Sequence, residues 1–526
     1  MFELDQLHSL ADITRQQRAQ RPDAIAQIFA GRTTTYEELD IRASRIAHGL
    51  LGLGLVPQSR IAYLGKNSDR FFEMVFGAFK ANVVTVSINW RLALPEIVYI
   101  VTDAGCDALF VGAEYYDLVE ALLAACPRLR HVIAMDDNPD GAAGGWLAFD
   151  AWRDAQPARD PLLAIAADDD VVQLYTSGTT GHPKGVQLTT ANYMAFFRAA
   201  QAAEWGDFSP GEVTLACMPV FHVAGLNIGV IAVAQGSTSV IMKEVDPAQV
   251  LEFIPRYGIN NAFFVPAVML FMLQHPAAAG TDFSSLRRLY YGASPIAEDL
   301  LRRAREVFGC AFYQLYGLTE TTGAGACLPD HAHDPGLGKL RACGMPYPGI
   351  EIRVADPSGA TLPAGAVGEI LIRSDVVMKG YWGRPDATAA AIRDGWFHSG
   401  DAGYFDEDGY LYIHDRLKDM IVSGGENVYP AEVENAVFGH PAVADVAVIG
   451  VPDEKWGEAV KAVVVLKPGA EVATDDIIAF VRQRIAGYKV PKSIDIVSAL
   501  PRNPSGKVLR RELRAPYWVG RERQVN

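Results

Sequence analysis

The chain has 526 residues, of which half are hydrophobic and 21% are charged, and its formal net charge is −15. This length suggests about three to four structural units, and the composition is typical of a globular protein rather than a disordered one. The acidic balance argues against general binding to nucleic acid or to an anionic membrane, because no overall positive field attracts either. A small local basic site remains possible.

Cysteine usage and the apolar segments indicate the compartment. The six cysteines are scattered and contain no C-x-x-C pair, which favours free thiols in a reducing cytoplasm over disulfides or a zinc site. The N-terminus lacks the basic and apolar regions of a signal peptide. The most apolar run, residues 226–242, is interrupted by polar residues and predicts a helix, a turn and a buried strand. We expect a cytoplasmic protein, with peripheral membrane contact left open.

The first 125 residues alternate between helical and strand-like patterns. Thr35 to Glu38 has the T-x-x-E form of a capping box, and apolar residues follow it at helical spacing. Further on, strands are predicted at 60–64, 83–88 and 108–111, and helices at 71–80, 94–102 and 115–123. Strands that alternate with helices predict βαβ units and a mostly parallel sheet.

Residues 175–185 follow a short apolar strand at 171–174 and are rich in glycine and hydroxyl side chains, with Lys184 between Pro183 and Gly185. Glycines allow close approach of a ligand, successive amides can form an anion-binding concavity, and Lys184 adds a positive charge. The alternative is a flexible surface loop. The abrupt entry from a strand favours a phosphate site, although Lys184 lacks the following Ser or Thr of a P-loop.

The pattern changes twice in the rest of the chain. Strands are predicted at 213–217, 239–242, 262–265 and 289–291, and helices at 247–256 and 297–308, which indicates a second α/β layer. From about residue 349, short strands separated by Gly, Pro and Asp turns indicate a smaller β-rich subdomain, with strands at 351–354, 368–372 and 410–413. After residue 419, helices at 431–438 and 477–485 and strands at 443–451 and 460–466 predict a small α+β domain.

Five motifs, in one order along the chain, resemble the adenylate-forming superfamily, which includes acyl-CoA synthetases, firefly-type luciferases and nonribosomal adenylation domains. They are residues 175–185, Y-G-L-T-E at 316–320, G-W-F-H-S-G-D at 395–401, D-R-L-K-D at 415–419 and N-P-S-G-K at 503–507. Together they are highly specific and cover essentially the whole chain. The segment S-G-G-E-N-V-Y-P at 423–430 looks most like bacterial fatty-acyl-CoA ligases and their aryl-CoA ligase relatives.

The resemblance implies an α/β fold with two domains. A large N-terminal domain, residues 1–417, would contain two doubly wound α/β layers and a small distorted β-barrel-like subdomain. A small mobile α+β domain, residues 418–526, would rotate about a hinge at Lys418. The family reaction converts a carboxylate and ATP into an acyl-adenylate and pyrophosphate, and then transfers the acyl group to the thiol of coenzyme A.

The resemblance assigns roles in binding ATP and Mg²⁺. The β- and γ-phosphates would be bound by Thr176, Ser177, Gly178, Thr179, Thr180 and Lys184. Glu320, with Thr176, would bind the magnesium ion, since hard cations prefer oxygen ligands. The adenosine would contact Gly292, Ala293, Ser294, Tyr316, Gly317 and Thr319, with Asp401 and Arg416 at the ribose; by itself, the glycine-containing segment around Asp401 predicts a turn. Lys507 would be the catalytic lysine of adenylation, beside the carboxylate and the α-phosphate.

The resemblance also assigns the coenzyme A and acyl sites. After rotation of the small domain, Ser423, Gly424 and Gly425 would face the active site, and Arg91 and Trp456 would contact coenzyme A by charge and by stacking. His222 would gate or line the acyl pocket and take part in catalysis. The other expected lining residues are Val223, Gly225, Asn227, Val265, Met269, Gly292, Gly317 and Leu318. This apolar lining predicts an apolar acid but hardly distinguishes chain lengths.

Two departures from relatives favour coenzyme A as the acceptor and a fatty or other apolar acid as the substrate. Amino-acid-activating domains place an aspartate where this chain has His222. We also expect no carrier-protein domain after Lys507, and no insertion that would limit rotation of the small domain is evident. The alternatives are an acyl-AMP ligase that loads a carrier protein, an aryl-CoA ligase, and a non-catalytic nucleotide-binding scaffold. Lys184, Glu320, Asp401, Arg416 and Lys507 together argue against the scaffold.

Overall fold

Strands and helices alternate along most of the chain, as the sequence predicts. The computed structural model describes residues 4–136, 145–176, 183–203, 209–416, 419–423, 426–453, 455–503 and 506–519. The described strands are β1 (Ile25–Phe29), β2 (Arg32–Thr35), β3 (Arg60–Leu64), β4 (Val84–Ser87), β5 (Ala108–Val111), β6 (His131–Ala134), β7 (Leu147–Ala148), β8 (Asp170–Thr176), β9 (Lys184–Thr189), β10 (Val213–Ala216), β11 (Thr238–Ile241), β12 (Asn261–Phe264), β13 (Arg288–Gly292), β14 (Ala311–Tyr316), β15 (Ala326–Leu328), β16 (Met345–Pro346), β17 (Glu351–Ala355), β18 (Gly368–Arg373), β19 (Gly380–Tyr381), β20 (Ile392–Arg393), β21 (Trp396–Phe405), β22 (Leu411–Arg416), β23 (Ile421–Ser423), β24 (Glu426–Val428), β25 (Val443–Asp453), β26 (Gly457–Leu466) and β27 (Ser493–Ile496).

The helices pack on the faces of the sheets. The described α-helices are α1 (Asp12–Gln20), α2 (Tyr36–Gly52), α3 (Asp69–Ala81), α4 (Leu94–Ala104), α5 (Val119–Ala125), α6 (Phe149–Asp154), α7 (Thr190–Ala202), α8 (Val223–Ala234), α9 (Pro247–Tyr257), α10 (Pro266–Gln274), α11 (Glu298–Phe308), α12 (Pro385–Ala391), α13 (Pro430–Phe438), α14 (Thr474–Arg482) and α15 (Arg510–Arg514). The capping box predicted at the start of α2 is present: Glu38 N donates to Thr35 Oγ1 at 3.2 Å, and Thr35 N donates to Glu38 Oε2 at 2.9 Å. The helix predicted at 115–123 is divided into a 3₁₀ segment, Ala113–Leu118, and α5.

The first large sheet has eight strands in the order β19-β9-β8-β4-β3-β5-β6-β7. Its central strands β3, β4 and β5 are parallel and fully buried, as expected for a sheet that is covered on both faces. At one side β8 and β9 form an antiparallel pair in which Thr176 lies opposite Lys184. The segment at 175–185 that is predicted as a loop therefore includes paired strand residues, Tyr175 and Thr176 on β8 and Lys184 and Gly185 on β9. Both ends of the segment belong to strands.

The second large sheet has nine strands in the order β16-β15-β14-β13-β12-β10-β11-β1-β2. Strands β10 to β14 are parallel, and Gly292 at the end of β13 lies opposite Leu315 of β14. The carboxyl ends of β13 and β14 consequently place Gly292 and Tyr316 at one edge of the sheet. Ligands of α/β sheets commonly bind at this edge.

The predicted β-rich subdomain is a five-stranded antiparallel sheet, with β17-β18-β21-β20 in order and β22 paired to β21. Asp401 lies inside the ten-residue strand β21, directly opposite Arg416 of β22. The alternative for Asp401, a residue that only forms a turn, is therefore wrong, since Asp401 is a paired strand residue. Cross-strand pairing with β18 and β22 outweighs the turn preference of Gly400 and Asp401.

The C-terminal residues form a separate sheet, with β24-β23-β26-β25 in order and β27 parallel to β26. Helices α13 and α14 cover this sheet and share an apolar core with it. The predicted boundary at residues 417 and 418 lies outside the described residues. All six cysteines are unpaired, and five of them are buried. Among the described helices, none combines the length and the apolar character that crossing a bilayer requires.

Candidate active site

Glu320 lies at the centre of a cluster of hydroxyl groups next to the hairpin β8–β9. It belongs to a short 3₁₀ turn, Thr319–Thr321, that follows β14. Thr176 Oγ1 donates to Glu320 Oε1 at 3.3 Å, and the Tyr381 hydroxyl donates to the same oxygen at 3.0 Å. Thr176 and Glu320, predicted from two different motifs, are thus brought together by two different sheets.

Lys184 approaches the same cluster through Tyr381. Its Nζ lies 4.9 Å from the centre of the Tyr381 ring, and β19, which carries Tyr381, pairs with β9, which carries Lys184. The sequence analysis did not find Tyr381. Tyr381 reaches this cluster because β19 pairs with β9 at the edge of the first sheet. No local sequence pattern predicts that pairing. Ser177, Gly178, Thr179 and Thr180 lie outside the described residues.

The predicted adenosine-binding glycines lie where any side chain would collide with the backbone. A Cβ atom at Gly292 would lie 2.2 Å from the Leu315 carbonyl oxygen, and one at Gly317 would lie 2.3 Å from the backbone of Gly323. The next residue after Gly292, Ala293, has a φ of 64°, which non-glycine residues rarely adopt. Close packing and backbone strain at one edge of a sheet are typical of binding sites.

Asp401 and Tyr316 form a buried pair. The Tyr316 hydroxyl donates a 2.8 Å hydrogen bond to Asp401 Oδ2, and both side chains are less than 10% exposed. The backbone amide of Asp401 donates to Ser399 Oγ at 3.0 Å, within the same strand. The backbone of Arg416 is the direct neighbour of Asp401, as the motifs predict.

His222 is the residue that immediately precedes α8. Burial, assisted by the positive charge of Arg91, lowers the pKa of His222 to about 4, so the imidazole is neutral at physiological pH. Its Nε2 is buried and has no hydrogen-bond partner among the described residues. A buried polar atom without a partner costs free energy, which a bound ligand can recover.

The other predicted acyl-site residues on α8 lie beside the Gly317–Gly323 contact. Asn227 uses both ends of its amide within the protein: the Tyr193 hydroxyl donates to its Oδ1 at 3.1 Å, and its Nδ2 donates to the Thr322 carbonyl at 2.9 Å. A Cβ at Gly323 would lie 3.6 Å from Val223 Cγ2. This part of the candidate site therefore presents apolar surface beside an amide whose Oδ1 and Nδ2 each make one hydrogen bond within the protein.

The remaining residues predicted to line the acyl pocket lie either near α8 and the core of the large domain or at the boundary with the C-terminal domain. Gly225 packs tightly, since a Cβ there would lie 2.1 Å from the Pro219 carbonyl oxygen. Leu318 and Met269 are buried in the core of the large domain. Val265 instead borders the C-terminal loop, because a Cβ at Gly506 would lie 2.9 Å from Val265 Cγ2.

Lys507 belongs to a tight loop of the C-terminal domain. Its amide donates to Asn503 Oδ1 at 2.8 Å, and Arg502 bridges the Gly506 carbonyl and the Asp445 carboxylate at 2.6 Å each. Lys507 lines a cleft of about 110 Å³ between the domains. The lining residues from the large domain are Pro266, Ala267, Leu270, Ser294, Pro295, Ile296, Ala297 and Leu300. The structure thus brings Lys507 to the segment that contains Ser294.

The predicted coenzyme A residues that the structure describes lie in two different domains. Ser423 pairs with Glu426 and Gly457 in the C-terminal sheet, next to the half-exposed Trp456. Arg91 belongs to the large domain, where its guanidinium contacts Glu244 at 2.8 Å. Gly424 and Gly425 lie outside the described residues.

Two family models match the chain, and known proteins resemble it over nearly its whole length. The model of the AMP-binding enzyme family matches residues 14–382, and the model of the AMP-binding enzyme C-terminal domain matches residues 432–507. A fatty acid–[acyl-carrier-protein] ligase of Streptomyces coeruleorubidus is 43% identical, over 99% of both chains. A feruloyl-CoA synthase of an Amycolatopsis species is 40% identical, over 94% of this chain and 96% of the relative. The crystal structure of an anthranilate CoA ligase in complex with anthranoyl-AMP is similar with a TM-score of 0.90 and 26% identity, over 98% of this chain and 99% of that one.

Proposed function

The chain belongs to the AMP-binding enzyme family, and from this premise we propose that it is an ATP-dependent acid–thiol ligase acting on an apolar carboxylic acid. It would form an acyl-adenylate and pyrophosphate, and then transfer the acyl group to coenzyme A with release of AMP. The observation that carries the proposal is the position of Lys507, which lines one cleft with Ser294 although the two residues belong to different domains. A nucleotide-binding scaffold needs no such contact.

In the adenylation step, the acid's carboxylate attacks the α-phosphate of ATP, and the excess negative charge has to be neutralised. Lys507 would supply a compact positive charge beside the carboxylate and the α-phosphate. Lys184 and Thr176, with the intervening segment, would bind the β- and γ-phosphates. Asp401 would accept hydrogen bonds from the ribose hydroxyls, and its bond from Tyr316 supports this role because it fixes the carboxylate.

The residues around Glu320 fit a magnesium ion bound mainly through ATP. The described ranges contain no group of three or more His, Cys, Asp or Glu side chains that could form a metal site by themselves. Mg²⁺ usually binds through one or two carboxylates together with substrate phosphates. Both hydrogen bonds of the described residues to the Glu320 carboxylate fall on Oε1, and oxygen ligands such as Oε2 suit a hard cation. When bound, the ion would neutralise phosphate charge; Glu320 and Thr176 would position it.

The acid is proposed to be apolar because of what lies around α8. The amide of Asn227 is engaged within the protein, by the Tyr193 hydroxyl at its Oδ1 and by the Thr322 carbonyl at its Nδ2, and its neighbour Val223 is apolar. His222, directly before α8, offers an Nε2 that has no partner among the described residues, and as a neutral imidazole it would contact the reacting carboxyl group. Fatty acids and apolar aromatic acids both satisfy these conditions.

The second half-reaction would require a different position of the C-terminal domain. In the structure Lys507 lines the domain cleft, whereas Ser423 lies in the C-terminal sheet beside Trp456. We propose that residues 418–526 rotate about Lys418, so that Ser423, Gly424 and Gly425 replace the Lys507 loop and let the thiol reach the acyl-adenylate. Arg91 and Trp456 would then contact coenzyme A.

A carrier protein is a second candidate acceptor, and one observation favours it: the relative that is 43% identical over 99% of both chains is named as a ligase for an acyl carrier protein. The feruloyl-CoA synthase at 40% identity favours coenzyme A. Both acceptors end in the same phosphopantetheine thiol, so the adenylation site does not distinguish them. We propose coenzyme A as the acceptor. We also propose a cytoplasmic location, because the six free thiols are typical of a reducing compartment.

A two-stage assay tests the proposal. Pyrophosphate exchange with ATP is measured first for a panel of fatty and aromatic acids that includes dodecanoate and ferulate. The best acid is then supplied with ATP and either coenzyme A or a phosphopantetheinylated carrier protein, and the thioester is detected by mass spectrometry. Exchange followed by acyl-CoA formation is the expected result. Exchange with transfer to the carrier alone would favour the second candidate, and absence of exchange with every acid would contradict both.

A further inference from the structure

One face of α13 forms the contact between the C-terminal domain and the large domain. Ala431, Glu434, Asn435 and Phe438 all line the cleft that contains Lys507. Their spacing of three, one and three residues places them on a single face of the helix. The partner surface includes the start of α11, which begins at Glu298. The orientation of α13 on α11 is therefore linked to the position of Lys507.

Helix α11 lacks an N-terminal cap of its own. The first amides of an α-helix have no partner within the helix, and a side-chain oxygen usually accepts from one of them. The N-cap residue of α11 is Ala297, whose methyl group cannot accept a hydrogen bond. Instead, the Glu298 amide donates to Asn435 Oδ1 at 3.0 Å. The cap comes from the other domain, across 137 residues of sequence.

The hydrogen bond from Glu298 to Asn435 is directional, whereas the neighbouring contact through Phe438 is apolar. Phe438, one turn after Asn435 on α13, packs against both the core of the large domain and the core of the C-terminal domain. Apolar contacts tolerate sliding, because the hydrophobic effect has no direction. A hydrogen bond from a helix amide does not tolerate sliding, because the bond weakens steeply as its donor–hydrogen–acceptor angle departs from linearity. The bond from Glu298 to Asn435 thus fixes where α13 lies on α11.

The Lys507 loop depends on the same arrangement. A Cβ at Gly506 would lie 3.3 Å from the Ala267 Cβ, so the loop lies directly against α10. Arg502 joins this loop to Asp445 on β25, and β25 packs against α13. A shift of α13 relative to α11 would consequently move Lys507 relative to Ser294.

We propose that Asn435 is a positioning residue for the adenylation step: it caps α11 only while Lys507 faces the nucleotide site, and so stabilises this domain orientation. The inference rests on the proposed function for its catalytic meaning. Rotation of the C-terminal domain would return the Glu298 amide to water. A helix cap of ordinary strength corresponds to a factor of about 2 to 30 in the docked population.

The docked population is measured first, without any activity. Ala267→Cys on α10 and Ala431→Cys on α13 are combined, because these two small side chains line the cleft from opposite domains. The rate of cross-linking by a mild oxidant is compared with Asn435 intact, with Asn435→Ala and with Asn435→Asp, which keeps the acceptor oxygen. The Ala267→Cys chain alone controls for reaction of the natural cysteines. We expect Asn435→Ala to slow cross-linking by a factor of about 2 to 30 and Asn435→Asp to restore it.

The half-reactions are then measured separately in chains without the added cysteines. Asn435→Ala is expected to lower pyrophosphate exchange with dodecanoate or ferulate by a similar factor, while thioester formation from supplied acyl-adenylate is unchanged or faster. In the double-cysteine background, equal cross-linking rates with Asn435 intact and with Asn435→Ala would overturn the inference, as would equal losses in both half-reactions. If the natural chain activates no acid, the proposed function fails, but the cross-linking rates still decide the role of Asn435.

Discussion

The Tyr316 hydroxyl donates a 2.8 Å hydrogen bond to Asp401 Oδ2, and this bond links the end of a parallel strand in one sheet to the middle of an antiparallel strand in another. The two side chains are buried, so the carboxylate is oriented before any ligand arrives. A site whose acceptor is already oriented loses less entropy when it binds.

Tyr316→Phe should therefore weaken the binding of ATP more than it slows the chemistry. The variant keeps the aromatic face but leaves Asp401 without one of its donors. We expect the KM for ATP to rise about tenfold, which corresponds to about 1.4 kcal/mol, with kcat within a factor of about three. Tyr410→Phe removes a hydroxyl from a tyrosine whose ring contacts Lys339, and it serves as the matched control. A large fall in kcat at unchanged KM would contradict a role in nucleotide binding.

Lys507→Ala should affect the two half-reactions very unequally. Loss of a charge that is placed next to the reacting phosphate costs about 3 kcal/mol or more, so we expect pyrophosphate exchange to fall at least about a hundredfold. Thioester formation from supplied acyl-adenylate should stay within a factor of about three. Lys467→Ala, at an exposed lysine of the same domain that donates to the Pro441 carbonyl, provides the control. Equal losses in both assays would exclude the two-position account of the C-terminal domain.

Glu320→Gln should change the magnesium requirement. The amide keeps the size of the side chain and an acceptor oxygen but removes the negative charge that attracts the cation. We expect the Mg²⁺ concentration for half-maximal pyrophosphate exchange to rise at least about tenfold, with partial recovery at high Mg²⁺. Tyr381→Phe removes one hydrogen bond to Glu320 but leaves the charge, so its effect should be smaller. An unchanged Mg²⁺ curve for Glu320→Gln would show that this carboxylate does not bind the ion.

His333 should make the stability of the large domain depend on pH. Its Nδ1 donates to the Pro329 carbonyl at 2.9 Å, so its Nε2 accepts from the Tyr291 hydroxyl, also at 2.9 Å. Burial lowers the pKa of His333 to about 4 from its ordinary value of 6.5. Because the folded pKa is the lower one, this contribution is fully present above pH 6.5 and is lost as the pH falls from 6.5 to 4.

The size of this effect is bounded by the pKa shift, at up to about 3 kcal/mol of unfolding free energy. Urea denaturation of the natural chain and of His333→Gln between pH 4 and 7 measures it. The natural chain should lose stability more steeply below pH 6.5 than the glutamine variant does. His222 shifts in the same direction, to a pKa of about 4, and remains in both chains, so it cancels in the comparison. Parallel curves would contradict a neutral, hydrogen-bonded His333.

The sequence predicts the strands and helices well where burial is periodic or complete, as at β3 and β5, whose predicted and observed bounds agree. It also predicts Thr176 and Glu320 as neighbours, because each belongs to a motif of a recognisable family. The sequence does not predict the roles of Tyr381 and Asn435, because their partners are distant in the chain. Their partners, Glu320 and Glu298, lie 61 and 137 residues away, and the contacts depend on strand order and on domain orientation. Local patterns carry neither kind of information.

The pairing of Thr176 with Lys184 fixes the register of the hairpin formed by β8 and β9. In a β-ladder, a slip by one residue turns every following side chain to the opposite face of the sheet. A slip of β9 along β8 would therefore turn Lys184 away from the Tyr381 ring and from the cluster around Glu320. The positive charge that the proposed phosphate site requires thus depends on the register of a hairpin as much as on the identity of residue 184.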